Sequence, residues 1–213
     1  MNEKSFINNE KIHRMAQNGL IIAIMLIMAF TPLGYIKTPT VEITLMPVPV
    51  VVGAILLGPT SGLLFGAVFG LTSFLQCIGF PTLSWFGSML FEINKISTVL
   101  MCMVPRMLMG FLAGLIFMGL KKIDKTKFVS YIITCISGAV MNTVFFLTFL
   151  VVFFGTSSFI LELRGGASLM MFMVTLVGIN GLIEAGVCAF VGVAVSKVLG
   201  VVIDKRRDNK KRV

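Results

Sequence analysis

The chain has 213 residues, of which 57% are hydrophobic and 13% charged, with a mean hydropathy of +0.99. Soluble domains run nearer a quarter charged, so an ordinary cytosolic enzyme is excluded, and the length allows one domain. The net charge of +9 raises nucleic acid as a partner, but the basic residues make no stripe interleaved with exposed aromatics. They gather instead at Lys4, Lys11 and Arg14, at Lys121 to Lys127, and at Lys205 to Arg212. Those places lie between apolar blocks or at chain ends, as on the cytoplasmic side of a membrane protein.

Residues 1–17 read as a cytoplasmic N-terminal segment, 18–202 as a membrane domain, and 203–213 as a basic cytoplasmic tail beside anionic lipid. The first span, about residues 18–35, ends near Pro32 and Gly34. No small-residue cleavage motif follows it, so it reads as a retained helix and not a signal peptide. No charged residue occurs from Ile43 to Phe91. A single helix of that length would extend about 74 Å at 1.5 Å per residue, so the segment must fold back. Gly58-Pro59-Thr60 is the strong break. It separates a short second span, 47–57, from a third, 61–78, and further spans follow at 97–120, 129–154 and 168–202. The expected fold is an all-α integral membrane protein, a bundle of six transmembrane helices.

An even count puts both termini on one side, together with the Gly58-Pro59 turn and the Lys121 to Lys127 loop. That side holds most of the 18 Lys and Arg residues, while the other keeps Lys37, Lys95 and Arg164. The positive-inside bias then makes both termini cytoplasmic in the cell membrane; five or seven spans would put one basic terminus outside. The expected external loops are 37–46, 79–96 and 155–167. The middle one carries Pro81, Trp85, Phe86 and Phe91, amphipathic enough to lie at the interface or cap a pocket.

Small residues recur every fourth position at Gly58, Gly62, Gly66 and Gly70, again at Gly110 and Gly114, and at Gly19 and Ala23. Such seams let helix backbones approach closely in lipid, either inside the bundle or, on an outer helix, against a partner protein. Ionisable groups inside a bilayer cost at least about 2.5–3.5 kcal/mol at a helix centre, so Arg106 and Glu184 need a reason. Asn180 shares a helical face with Glu184, and Asn142 and Gln76 fall in the middle or external half of their spans. Two readings stay open. One is an Arg106–Glu184 ion pair that holds helices together and binds nothing. The other is a polar cavity open to the outside, with Arg106 for an anionic group and the amides for hydroxyl or amide groups. Trp85 either overlies its mouth or anchors at the membrane surface.

His13 is the sole histidine, and Cys77, Cys102, Cys135 and Cys188 stand apart without a CxxC pair. No metal or other cofactor is expected, and the thiols read as small hydrophobes. A phosphate-binding GxxxxGK[ST] loop is absent, as are HExxH and GxSxG. The chain therefore reads as no enzyme and no self-powered pump, but as a binding subunit.

The run from Ile43 to Pro59 (ITLMPVPVVVGAILLGP), with Gly62 and Gly66 to Phe74 after it, resembles the second and third spans of the substrate-specific (S) components of energy-coupling factor (ECF) vitamin transporters. Val104-Pro105-Arg106-Met107-Leu108-Met109-Gly110 resembles their fourth-span Pro-Arg motif. Asn142-Thr143 and Asn180-Gly181-Leu182-Ile183-Glu184-Ala185 resemble their fifth- and sixth-span signatures. The resemblance covers about residues 15–200. It implies a six-helix subunit that captures a vitamin from outside and works with a transmembrane coupling protein and two cytoplasmic ATPases. It also implies that the loaded subunit topples in the bilayer to release its cargo. Family members set an Ala-xxx-Ala face of the first helix against the coupling protein; Gly19 to Ala23 is the counterpart here, departing at its first position. The pattern is similar to the pantothenate and folate branch. Pantothenate, with a carboxylate, an amide and hydroxyls, suits Arg106, Asn142, Asn180 and Glu184. Folate or cobalamin are alternatives within the resemblance, and a structural or assembly membrane protein is the alternative outside it.

Overall fold

The structure, a computed structural model, describes residues 3–36, 43–124 and 128–198; the side chains of 3–10, 169–170, 173 and 175–180 are outside that description. The expected basic tail at 203–213 and parts of two expected loops, 37–42 and 125–127, lie outside the described residues. Helix α1 runs Glu3–Phe30, so the segment expected before the first span continues the same helix. The chain leaves it ahead of Pro32 and forms a two-residue antiparallel ladder, β1 (Tyr35–Ile36) with β2 (Ile43–Thr44). Then come α2 (Pro47–Leu57), α3 (Pro59–Ile78), α4 (Trp85–Ile93), α5 (Lys95–Leu120), α6 (Phe128–Phe154), α7 (Ser158–Arg164) and α8 (Leu169–Val187). A π-helical turn, Cys188–Gly192, follows α8, and the helix resumes through residue 198.

Among the described residues, five helical stretches are long and apolar enough to cross a membrane: Lys11–Phe30, Pro59–Ile78, Lys95–Leu120, Phe128–Phe154 and Gly181–Val198. The second expected span is a helix at the expected place, but its 11 residues reach only about 17 Å at 1.5 Å per residue, against a hydrocarbon core of about 30 Å. The break that shortens it is the expected one. Gly58 adopts φ 94°, a left-handed geometry that Cβ-bearing residues avoid, and Pro59 then starts α3 with φ already fixed.

The glycine seam lies inside the bundle. A Cβ added at Gly62 would collide with the Gly110 carbonyl, and one at Gly66 with the Arg106 carbonyl. Gly70 faces the Cys102 carbonyl and Gly114 faces Pro59 in the same way. Helices α3 and α5 therefore touch backbone to backbone, and this is the most extensive helix pair in the bundle. Short α2 packs beside them, burying Val50, Val51, Ala54 and Ile55 in a core shared with Phe65, Phe69, Met109 and Ala113. A second apolar cluster (Phe86, Leu90, Met101, Leu150, Phe154, Ile160 and Phe172) seats α4 and α7 at the opposite end of the bundle from Gly58. Ser84, Asn94, Ser157 and Ser168 cap α4, α5, α7 and α8 there, each side chain accepting a backbone N–H three residues on. Two of the expected loops thus contain short capped helices.

Candidate substrate-binding site

The capped end holds a cavity of about 100 Å³. Helix α5 supplies Arg106, Met101 and Cys102; α3 supplies Phe69, Ser73, Gln76 and Cys77; α6 supplies Asn142, Thr143 and Phe146. Glu184 comes from α8, Ser84, Phe86 and Gly87 come from the α4 region, and Tyr35 and Thr44 from the two strands. Gln76, Arg106, Asn142 and Glu184, which come from four helices, meet around one hollow.

Arg106 is placed by the residue before it. A proline has no N–H, so Pro105 leaves the carbonyl four residues back, that of Met101, without its helical partner. The Arg106 guanidinium takes that place, with Nη1 donating to Met101 O at 2.5 Å. A side chain in a helix already leans toward the N-terminal turn, and this bond fixes the lean, aiming the group toward the capped end. Phe69 and Phe146 hold it from two sides, with ring centroids 5.5 and 5.0 Å from the guanidinium carbon, a cation–π arrangement. Behind it, the close approach of Gly66 keeps α3 against the Arg106 backbone.

Arg106 is 7% exposed, and its Nε is buried with no hydrogen-bond partner. Among the described residues neither Arg106 nor Glu184 takes part in an ion pair. Glu184 is engaged elsewhere: its Oε1 accepts the Thr44 backbone N–H at 2.9 Å. Asn142 Oδ1 is buried without a hydrogen-bond partner. The direct Arg106–Glu184 lock, one of the two readings open from sequence, is not formed. What remains is a buried guanidinium whose Nε has no partner and a buried amide oxygen without one, both in the wall of a cavity.

Thr44 ties the strand ladder to α8 through Glu184, and Tyr35 ties it to α3. The Thr72 hydroxyl donates to Phe69 O at 2.9 Å, so in the 3.2 Å contact between Tyr35 Oη and Thr72 Oγ1 the tyrosine is the donor. The ladder therefore closes over the cavity from the α1 side. Sequence reasoning missed Tyr35, Thr44, Phe69 and Phe146. Nothing distinguishes one Phe from another in a chain with 19; the Pro-Arg step was the available signal for Met101.

The other expected residues are distributed differently. Trp85 does not line the cavity although both of its sequence neighbours do; its half-exposed ring packs edge-on against Phe159 of α7 at 5.8 Å. Asn180 belongs to α8, one turn before Glu184, but its side chain lies outside the described residues. Gly19 and Ala23 sit on the exposed face of α1, away from the buried Met25 and Ala29, and nothing comes within 4 Å of a Cβ placed at Gly19. The four isolated cysteines come together as two pairs. Cys77 and Cys102 stand 3.8 Å apart in the cavity wall, and Cys135 and Cys188 both lie beside Gly192 of the π-helical turn.

No curated protein matches the sequence significantly. A family model, "ECF transporter, substrate-specific component", matches residues 13–196, a stretch that takes in α2 to α8 and every described wall of the cavity. With that match over most of its length, the chain belongs to the substrate-specific component family of ECF transporters.

Proposed function

We propose that the chain captures a vitamin, pantothenate as the best reading, from the outer face of the cell membrane. ECF S components bind a small-molecule substrate and work with a coupling module and ATPases; in this reading they deliver the cargo inward by ATP hydrolysis on those partners. The single observation that carries it is Arg106: a buried guanidinium with no carboxylate at ion-pair distance, facing a cavity that also contains the unpartnered Asn142 Oδ1. A cation in that state is expensive inside a membrane, and a bound carboxylate completes it. A ligand N–H or O–H beside that carboxylate completes Asn142. Pantothenate carries its carboxylate three atoms from an amide N–H, which supports this choice over a ligand without an acid. Gln76, Asn180 and Glu184 supply the remaining polar contacts in this proposal.

The orientation is also proposed. Counting short α2 as a sixth membrane element puts both termini and the Lys121 loop in the cytoplasm and the cavity end outside, consistent with the charge bias. The exposed Gly19–Ala23 face then meets the coupling protein.

Thermal unfolding of the purified chain against a panel of vitamins tests the proposal, because a ligand that prefers the folded state raises apparent stability. Pantothenate is expected to stabilise the parent. Arg106→Ala should fold and lose at least about thirtyfold in affinity, since truncating one member of a buried charge pair costs about 2–5 kcal/mol. A panel in which nothing stabilises the parent, or an Arg106→Ala protein that binds with undiminished affinity, overturns the reading.

A further inference from the structure

The cavity at Arg106 is small. A hollow of roughly 150 Å³ accommodates benzene, so about 100 Å³ accepts the charged end of a metabolite and not the whole of one. Beside it lies a second cavity of about 440 Å³, between the end of α1 and the turn that follows α3. The two share two wall residues, Tyr35 and Gln76. Around the larger one the walls change character. Ala29, Phe30, Pro32, Ile36 and Pro81 make it mainly apolar, and none of these residues reaches the Arg106 hollow.

We propose that the two cavities are halves of one binding site, joined through a neck formed by Tyr35 and Gln76. The ligand is an elongated acid: its anionic end sits at Arg106 and its distal, alkyl-bearing end fills the outer cavity. For the inner half this rests on the reading of Arg106 given above; the outer half is new and stands on the shared walls and the shortfall in volume. Tyr35 and Gln76 become specificity-determining residues. Tyr35 is held by Thr72 and rests beside Phe69 at 6.5 Å, so it fixes one side of the neck. Gln76 lies on α3 one turn before the left-handed Gly79 that ends the helix, and its long side chain forms the adjustable side. A ligand with a short polar body would leave the outer cavity empty, and one with a bulky group next to its acid would not pass the neck.

The native thiols test this without any vitamin. Cys77 and Cys102 line the inner cavity, and Cys135 and Cys188 line neither. N-ethylmaleimide and N-hexylmaleimide carry the same reactive head, but the hexyl tail of a reagent at Cys77 or Cys102 must occupy the outer cavity. The full-length protein in lipid nanodiscs is treated with each, and modification at each cysteine is followed by peptide mass spectrometry. Ile36→Trp and Thr82→Trp each fill the outer cavity from a different segment, and neither residue touches the inner one. We expect the hexyl-to-ethyl rate ratio at Cys77 and Cys102 to fall at least fivefold in both variants. Reagent partition into lipid is the same for parent and variant and cancels. A variant that unfolds reveals itself by rapid modification of Cys135 and Cys188, and the other variant then decides. Equal ratios in parent and plugged proteins, or no hexyl modification of either inner thiol, overturn the two-cavity site. Arg106 is untouched throughout, so that failure is separate from a failure of the vitamin panel.

Discussion

At the residue scale, one backbone deletion sets up the site. Pro105 costs α5 a hydrogen bond, and the freed Met101 carbonyl becomes the acceptor that orients Arg106. Pro105→Ala restores the amide and therefore competes with the guanidinium for the same oxygen. The variant should keep the fold and lose about tenfold in ligand affinity, about 1.4 kcal/mol, although residue 105 touches no ligand; titration by calorimetry beside Arg106→Ala reads the difference. Glu184 makes a second residue-scale case. Glu184→Gln keeps an oxygen for the Thr44 N–H and should leave thermal stability nearly unchanged. Glu184→Leu strands that N–H, and an unsatisfied buried group costs about 1–3 kcal/mol, which a melting curve of the unliganded protein registers. A Glu184→Leu protein as stable as Glu184→Gln would mean that the strand ladder is held in place by other contacts.

At the scale of elements, the glycines divide into two kinds that the sequence writes identically. Gly62, Gly66 and Gly70 recur at the same four-residue spacing that separates Gly19 from Ala23, yet the first three face backbone and Gly19 faces nothing within 4 Å. Spacing shows that a smooth face exists; only the neighbouring helix decides whether the face is filled. Gly66→Val should therefore push α3 off α5 behind Arg106, destabilising by at least the 1–3 kcal/mol or so typical of overpacking and reducing the monodisperse yield, whereas Gly19→Val should purify like the parent. The same distinction explains what was legible. Polar residues stranded in apolar sequence declare themselves by their cost, so Arg106, Asn142, Glu184 and Gln76 could be picked out before the fold was known. Phe69 and Phe146 could not, because an aromatic in a membrane helix needs no special reason to be there. The short helices α4 and α7 were hidden for another reason. They are 9 and 7 residues long, below the length at which apolar periodicity is distinctive, and their Ser caps are signals that read equally well as loop composition.

At the scale of the whole molecule, the apolar side chains on the outside are as informative as those within. Leu20, Ile24 and Ile27 on α1, Leu63 and Leu71 on α3, and Val140 and Val144 on α6 are all exposed, which is tolerable only where the solvent is lipid. Within that surface the proposed docking face is distinguished by size alone: Gly19 and Ala23 present almost no side chain between the bulkier Leu20 and Ile24. Two smooth helices gain packing in lipid where a Leu-covered pair gains little over lipid tails, so a partner helix should prefer this strip. The site and the strip lie on different parts of the molecule, with Arg106 enclosed between α3, α5 and α6 and Gly19 on the outer side of α1. Their functions should therefore separate. Gly19→Phe is expected to leave vitamin-induced thermal stabilisation within error of the parent while reducing ATP-driven uptake at least tenfold in liposomes that contain the coupling protein and both ATPases. Arg106→Ala should do the reverse in the assay of binding and lose uptake as a consequence. If Gly19→Phe supports uptake at the parental rate, the coupling protein grips another face. The small-residue pair would then be a surface feature of α1 with no partner.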